Sequence, residues 1–122
     1  MDTTFLVKDS GKREEYASGM VRDTQENKPD YTLIDDDFLE RLAVHLTKGA
    51  VKYGENNWRK ANSKVELRRF KKSAFRHFMQ WKRGDKDEDH ASATSFNQFA
   101  ADYVERRLSD PKFDEAMRLE YG

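Results

Sequence analysis

The sequence contains no cysteine, which excludes a disulfide framework and any thiolate metal site and fits a reducing compartment. Its apolar runs are only a few residues long, too short to span a membrane, and the opening stretch MDTTFLVKDSGKREE holds no hydrophobic signal core. A cytoplasmic protein is therefore expected. Net charge is also lacking. The 23 basic and 23 acidic side chains cancel, whereas a general nucleic-acid binder usually carries a basic excess. Stable nucleic-acid binding is not expected. No internal repeat and no low-complexity segment interrupts the chain.

What is present points to one folded domain. The 122 residues are enough for one domain and too few for two ordinary ones. Charged residues, at 38%, outnumber hydrophobic ones, at 36%, but eight Phe, five Tyr and two Trp argue against a disordered chain. A polar chain this short buries a modest core, which leaves apolar surface to be covered between subunits.

Apolar periodicity predicts an all-α fold: a compact bundle of three main helices plus a short C-terminal helix, with an extended N-terminal arm. Residues 1–34 show no sustained period and are read as an arm or lid, with a short strand considered near Phe5–Val7. Residues 35–122 form the bundle. The first helix is expected after Asp35, Asp36 and Asp37, whose carboxylates suit a helix N-terminus. Its apolar positions run Phe38, Leu39, Leu42, Ala43, Leu46, Ala50 and Tyr53, and Gly54 ends it. Gly49, inside this helix, needs a reason such as close approach of another backbone or a ligand. The second helix is expected over Val65–Arg83, with Leu67, Phe70, Ala74, Phe75, Phe78 and Trp81 as its stripe and Gly84 as its stop. The third is expected over Asp87–Leu108, with Ala93, Phe96, Ala100, Tyr103 and Val104 inward. Ser109-Asp110-Pro111 announces the fourth.

Two segments stand out for chemistry, Lys48–Trp58 and Asp85–Asn97, and the function is expected where they meet. Arg41, His45, Lys48 and Lys52 recur at helical spacing and form a cationic face suited to phosphate oxygens, although a solvated stripe would read the same way. Gly49 and Gly54 allow a ligand near the backbone, Glu55, Asn56 and Asn57 bunch at the helix end, and Trp58 offers either a stacking surface or a core residue. In the second segment Asp85, Asp87, Glu88 and Asp89 are more acids than capping requires, and hard cations favour such oxygens. Asn97, on an apolar stripe, needs hydrogen-bond partners. Arg76 and His77 border the core of the second helix and are candidates for phosphate or acid–base contact. A basic stretch from Arg59 to Arg83 beside an acidic knot suits a phosphate ligand with a divalent cation, and two solvated faces of opposite sign suit the same pattern.

Three stretches together resemble a known family. They are Ser18–Ile34; Arg41-Leu-Ala with Lys48–Trp58; and Ser73-Ala-Phe-Arg-His77 with Asp87-Glu-Asp-His90 and Asn97. They resemble the phage-associated dATP/dGTP diphosphohydrolase N-terminal domain family, which is associated with MazG-like all-α nucleotide pyrophosphohydrolases. The resemblance implies Mg²⁺-dependent (or Mn²⁺-dependent) hydrolysis of a purine deoxynucleoside triphosphate to monophosphate and pyrophosphate, in host cytoplasm if the protein is phage-encoded. It implies catalytic roles for Glu88, Asp89 and His90, and metal ligation among Glu55, Asp85, Glu88 and Asp89. Substrate contacts are expected from Arg22, Lys28, Lys48, Lys52, Asn57, Trp58, Arg76, His77 and Asn97, with the arm around Tyr31 closing over the nucleotide. It also implies a homodimer or homotetramer. MazG-like enzymes usually pair acids as Glu-x-x-Glu and Glu-x-x-Asp, whereas here Ala43 follows Glu40 at that spacing and Ala91 follows Glu88. That departure motivates a second reading, a non-catalytic binder that sequesters a nucleotide or a nucleotide-derived signal.

Overall fold

The computed structural model describes residues 5–122, so the first four residues of the expected arm lie outside it. The chain divides into two compact units, Met1–Leu33 and Ile34–Gly122.

The N-terminal unit is a hairpin. β1 (Arg13–Glu15) pairs antiparallel with β2 (Val21–Asp23) in the register Arg13 to Asp23 and Glu15 to Val21. Gly19 closes the connection in the left-handed region, at φ 91°, donating its N–H to the Tyr16 carbonyl at 2.8 Å. Polar side chains hold the unit. Asp23 accepts from the Ser10 N–H and hydroxyl and from Lys28, while Asp9 takes both Arg13 guanidinium nitrogens at 2.7 Å. The considered strand at Phe5–Val7 is corrected here. That stretch is irregular and exposed, and the strands form where side chains on both sides of a tight turn can be tied together.

The second unit is a bundle of four helices. α1 (Asp36–Tyr53) starts where Asp35 accepts the Phe38 N–H at 3.2 Å and ends at Gly54. α2 (Lys64–Arg83) opens on a capping box. Ser63 accepts the Glu66 N–H, and Glu66 accepts in return from the Ser63 hydroxyl and the Asn62 N–H. α3 (His90–Ser109) and α4 (Pro111–Tyr121) meet at Asp110, whose carboxylate caps α4 at Lys112 and Phe113. No helix among the described residues is long and apolar enough to cross a membrane. The four expected helices are therefore present. α3 begins three residues later than expected, because Asp89 caps it with its side chain and leaves Asp85–Glu88 in the preceding loop.

α3 is the central helix. It packs on α1, α2, α4 and the short 3-10 turn Asn57–Lys60. The core is small: Ala61, Ala93, Ala100, Ala101, Tyr103 and Val104 are its buried apolar residues, with Trp58, Leu67, Phe70, Phe113 and Met117 partly buried against it. Trp58 meets Phe96, Phe99 and Tyr103 edge-on at 5.1–5.7 Å between ring centroids. Arg107 lies buried among these elements. It donates to Asp114 at 2.7 Å and to the Arg59 carbonyl at 3.0 Å, and Tyr103 donates to the same carbonyl at 2.7 Å. The fully enclosed guanidinium thus ties the 3-10 turn and α4 to α3.

The inward stripe of α2 differs from the expected one. It runs Leu67, Phe70, Ser73, Ala74, His77 and Gln80, whereas Phe75, Phe78 and Trp81 are 68%, 43% and 52% exposed. Tracing the aromatics alone shifts the stripe by one residue, about 100° around the helix, so the polar His77 and Gln80 turn inward instead. Gly49 also departs from one expected reason: no other segment approaches within 4 Å of where its Cβ would stand, so no neighbouring backbone requires it.

Replacing Arg107 with alanine leaves the partly buried Asp114 with only the exposed Arg118 as its partner, at 2.8 Å, empties a buried position and removes one of two donors from the Arg59 carbonyl. The variant should lose about 3 kcal/mol of unfolding free energy, measured by urea denaturation. A loss below about 1 kcal/mol, typical of an exposed ion pair, would contradict this role.

Candidate functional site

All three histidines of the chain gather where α1, α2 and the start of α3 meet. His77 is brought in by the inward stripe of α2, and His90 is the first residue of α3, only 2% exposed. Their Nδ1 atoms stand 2.9 Å apart, and their rings lie 5.2 Å apart at 35°. The other nitrogen of His90, Nε2, meets Asp87 Oδ1 at 2.7 Å. His45, on α1, faces the same region, with its ring 6.0 Å from Phe96. Burial first, and then the adjacent Arg76 charge, push the His77 imidazole below its ordinary pKa, while Glu88 pulls it the other way.

The acids around this pair divide by what already holds them. Asp89 caps α3 through the Ser92 N–H and hydroxyl at 3.1 and 2.8 Å, and the Arg41 guanidinium grips it with two bonds at 3.0 and 2.7 Å. Arg41 above all holds its carboxyl well below the usual carboxylate range. Asp85 is taken by Arg83, with nitrogen–oxygen distances of 3.3 and 2.6 Å. Asp87 is engaged by His90, which lowers its pKa. Glu88 is exposed. Two mixed groups could hold a cation: His77 with Glu88 and His90, and Asp85 with Asp87 and His90, each with its ligand atoms within 4.8 Å of one another. A third, Asp35–Asp37, is an exposed acidic run at the start of α1.

The remaining expected site residues are spread more widely. Arg76 is exposed beside His77. Asn97 is buried one turn beyond Ala93 and donates to its carbonyl at 2.8 Å. The cationic face of α1 splits. Arg41 and His45 turn toward α3, whereas Lys48 and Lys52 stay in solvent, with the Lys52 ammonium 5.1 Å from the Tyr53 ring. Glu55 and Asn57 are exposed in and after the turn that ends α1. Trp58 is half-buried in the aromatic core, with the Arg59 guanidinium 4.5 Å over its ring. Among the described residues, no hydrogen bond, ion pair or ligand group joins Lys48, Lys52, Glu55, Asn57 or Trp58 to the histidine pair. Arg22 and Lys28 belong to the hairpin unit, where Arg22 is exposed opposite Glu14 and Lys28 pairs with Asp23 at 3.2 Å.

The sequence placed His45 on the cationic stripe of α1, counted Asp87 among the surplus acids without making it a metal ligand, and offered His77 as a phosphate or acid–base contact, but it did not predict the pairing of His77 with His90. The signal for His77 lay in α2: His77 and Gln80 continue the spacing of Leu67, Phe70 and Ala74. The Gln80 side-chain oxygen is buried without a hydrogen-bond partner. A polar pair at inward positions, with aromatics outside, is the pattern of a site rather than of a core.

A family model described as dATP/dGTP diphosphohydrolase, N-terminal, matches residues 18–112. No curated protein and no solved structure gives a significant match to the chain.

The Asp89 contacts unite a helix cap and an ion pair linking α1 to α3. Asp89→Ala should cost about 1–2 kcal/mol, the usual range for a lost N-cap, and Arg41→Ala about 0.5 kcal/mol, as for an exposed pair. Thermal unfolding of the two single variants and the double variant checks this; an Asp89→Ala protein as stable as the parent would remove Asp89 from the account.

Proposed function

Because the chain belongs to the dATP/dGTP diphosphohydrolase N-terminal family, we propose that it binds a purine deoxynucleoside triphosphate and hydrolyses it to the monophosphate and pyrophosphate. The observation that carries this reading is the convergence of His77, Glu88 and His90 at the meeting of three helices. Water attacks the α-phosphorus, the bond to the bridging oxygen breaks, and pyrophosphate leaves. A divalent cation such as Mg²⁺ or Mn²⁺, when bound, supplies charge neutralisation on the phosphoryl oxygens and activates the water.

The chain's own residues divide the remaining work. Arg76, exposed next to His77, and Lys48 and Lys52, exposed along α1, offer mobile cations to the triphosphate. Glu88 faces solvent and is free to meet a cation or orient water. Asp89 acts as a positioning residue. With its oxygens held by Arg41 and Ser92, it sets where α3 begins and so where His90 stands. Asn97 stiffens the same turn. Asp85, held by Arg83, keeps the acidic loop in place. Glu55, Asn57 and Trp58 form the helix-end border, with Trp58 committed to packing.

A second reading has its own support. The acid pairs usual in MazG-like enzymes are absent at Glu40/Ala43 and Glu88/Ala91, which favours a protein that holds its nucleotide without cleaving it. Incubation of the folded protein with each deoxynucleoside triphosphate and Mg²⁺ or Mn²⁺ separates the two. The hydrolase reading expects dATP or dGTP to yield monophosphate and pyrophosphate, with Glu88→Gln at least tenfold slower. Intact nucleotide recovered after heat-denaturing a preformed complex would replace it with the binder.

The exposed aromatic face of α2, where Phe78 and Trp81 lie 5.7 Å apart between ring centroids, is proposed to meet a second copy of the chain, consistent with the small core. Sedimentation at micromolar concentration should give a dimer or tetramer, and Trp81→Glu should dissociate it; a monomeric parent protein would overturn this assignment.

A further inference from the structure

We propose that His77, His90 and Glu88 form a binding site for one divalent ion of the nitrogen-preferring transition series, such as Mn²⁺ or Zn²⁺, rather than for Mg²⁺. The proposal deepens the functional reading above and rests on it for the purpose of the ion.

The spacing supports shared ligation. Two imidazole nitrogens bound about 2.1 Å from one ion stand about 3.0 Å apart at a right angle and about 3.4 Å apart at the tetrahedral angle. The Nδ1 atoms of His77 and His90 are 2.9 Å apart. A Glu88 oxygen lies within 4.8 Å of a nitrogen on each ring, and its exposed side chain can close the remaining distance.

Protonation supports the same assignment. His90 Nε2 faces the Asp87 carboxylate at 2.7 Å, so it carries a proton and leaves Nδ1 bare. A carboxylate behind the distal nitrogen is the usual support for a metal-binding histidine. With both rings neutral, His77 Nδ1–H donates to that bare nitrogen when no ion is bound. Binding an ion moves the His77 proton from Nδ1 to Nε2, and no proton is lost.

The donor set then chooses the ion. Two imidazoles and one carboxylate suit Mn²⁺, Fe²⁺, Co²⁺ or Zn²⁺, whereas Mg²⁺ favours an all-oxygen octahedron and keeps its waters. The alternative group of Asp85, Asp87 and His90 is less suited. A cation there would use Nε2, displace the Asp87 hydrogen bond and sit beside the Arg83 guanidinium that holds Asp85.

The test uses the full chain after chelator treatment. Calorimetry should show one equivalent of Zn²⁺ or Mn²⁺ bound, with millimolar Mg²⁺ failing to compete. His77→Gln and Glu88→Gln should each weaken binding at least tenfold, and Asp87→Asn about 10- to 100-fold, while His45→Gln should not change it. His77 and Glu88 are less buried than His90, so these variants can keep the fold, and circular dichroism checks that they do. Long-range ¹H–¹⁵N spectra with Zn²⁺ should report Nδ1 ligation on both His77 and His90. The proposal is overturned by a parent protein that binds neither ion. It is also overturned by folded His77→Gln and Glu88→Gln variants of unchanged affinity, or by Nε2 ligation of His90 lost in Asp85→Asn. Ion binding as described without triphosphate cleavage would remove the hydrolase reading alone. Full Mg²⁺-supported cleavage by a His77→Gln variant that binds no transition ion would remove the role of this metal site in cleavage alone.

Discussion

The placement of α3 among its neighbours governs the helical unit. Its buried residues Ala93, Ala100 and Ala101 are small, and aromatic pairs bridge from it to each neighbour: Phe96 to His45 of α1 and Phe70 of α2, and Tyr103 to Phe113 of α4. Such contacts are individually weak and depend on fit. Directional bonds at the two ends of the helix supply the register. At the C-terminal end Arg107 and Tyr103 converge on the carbonyl of Arg59. At the N-terminal end Asp89 is gripped by Arg41. Between these anchors the helix has little freedom to slide, and His90 is delivered beside His77 as a consequence.

That delivery has a cost in apolar burial. An inward turn of α2 that carries His77 and Gln80 cannot also carry Phe75, Phe78 and Trp81, because the two sets occupy different sides of one helix. The polar set faces α3, and the aromatics remain at the surface. The core is correspondingly small, and part of its work passes to the Trp58–Phe96–Phe99–Tyr103 aromatic cluster. The site and the exposed aromatic patch are two results of one rotational choice.

The acidic loop shows how local chemistry sorts like residues into unlike roles. Asp85, Asp87, Glu88 and Asp89 are nearly consecutive, yet Arg83, His90 and Arg41 each claim one carboxylate, and Glu88 is left facing solvent. The sequence offered Asp85, Glu88 and Asp89 as metal ligands without telling which carboxylate is already claimed. Two of these partners are near neighbours in the chain, and the third, Arg41, reaches Asp89 across the bundle from 48 residues away.

Local signals fixed the helices. Asp35 before α1, the Ser63–Glu66 box before α2, Gly84 after it and Asp110-Pro111 before α4 are short-range hydrogen-bonding and backbone preferences, and each acts where it stands in the chain. The family resemblance was legible for the same reason, since its motifs are local strings. The candidate site was legible in part: the segment Asp85–Asn97 was singled out, and so was His77, but not their union. Lys48–Trp58 was expected to meet that segment, and the meeting is made by Trp58 against Phe96 and Phe99, in packing rather than around the histidines. Which side of α2 faces inward, which acid keeps a free carboxylate and which two ring nitrogens stand 2.9 Å apart were decided by tertiary structure alone. Each depends on the rotation and axial position of a whole helix, and those are set by the summed fit of many distant contacts.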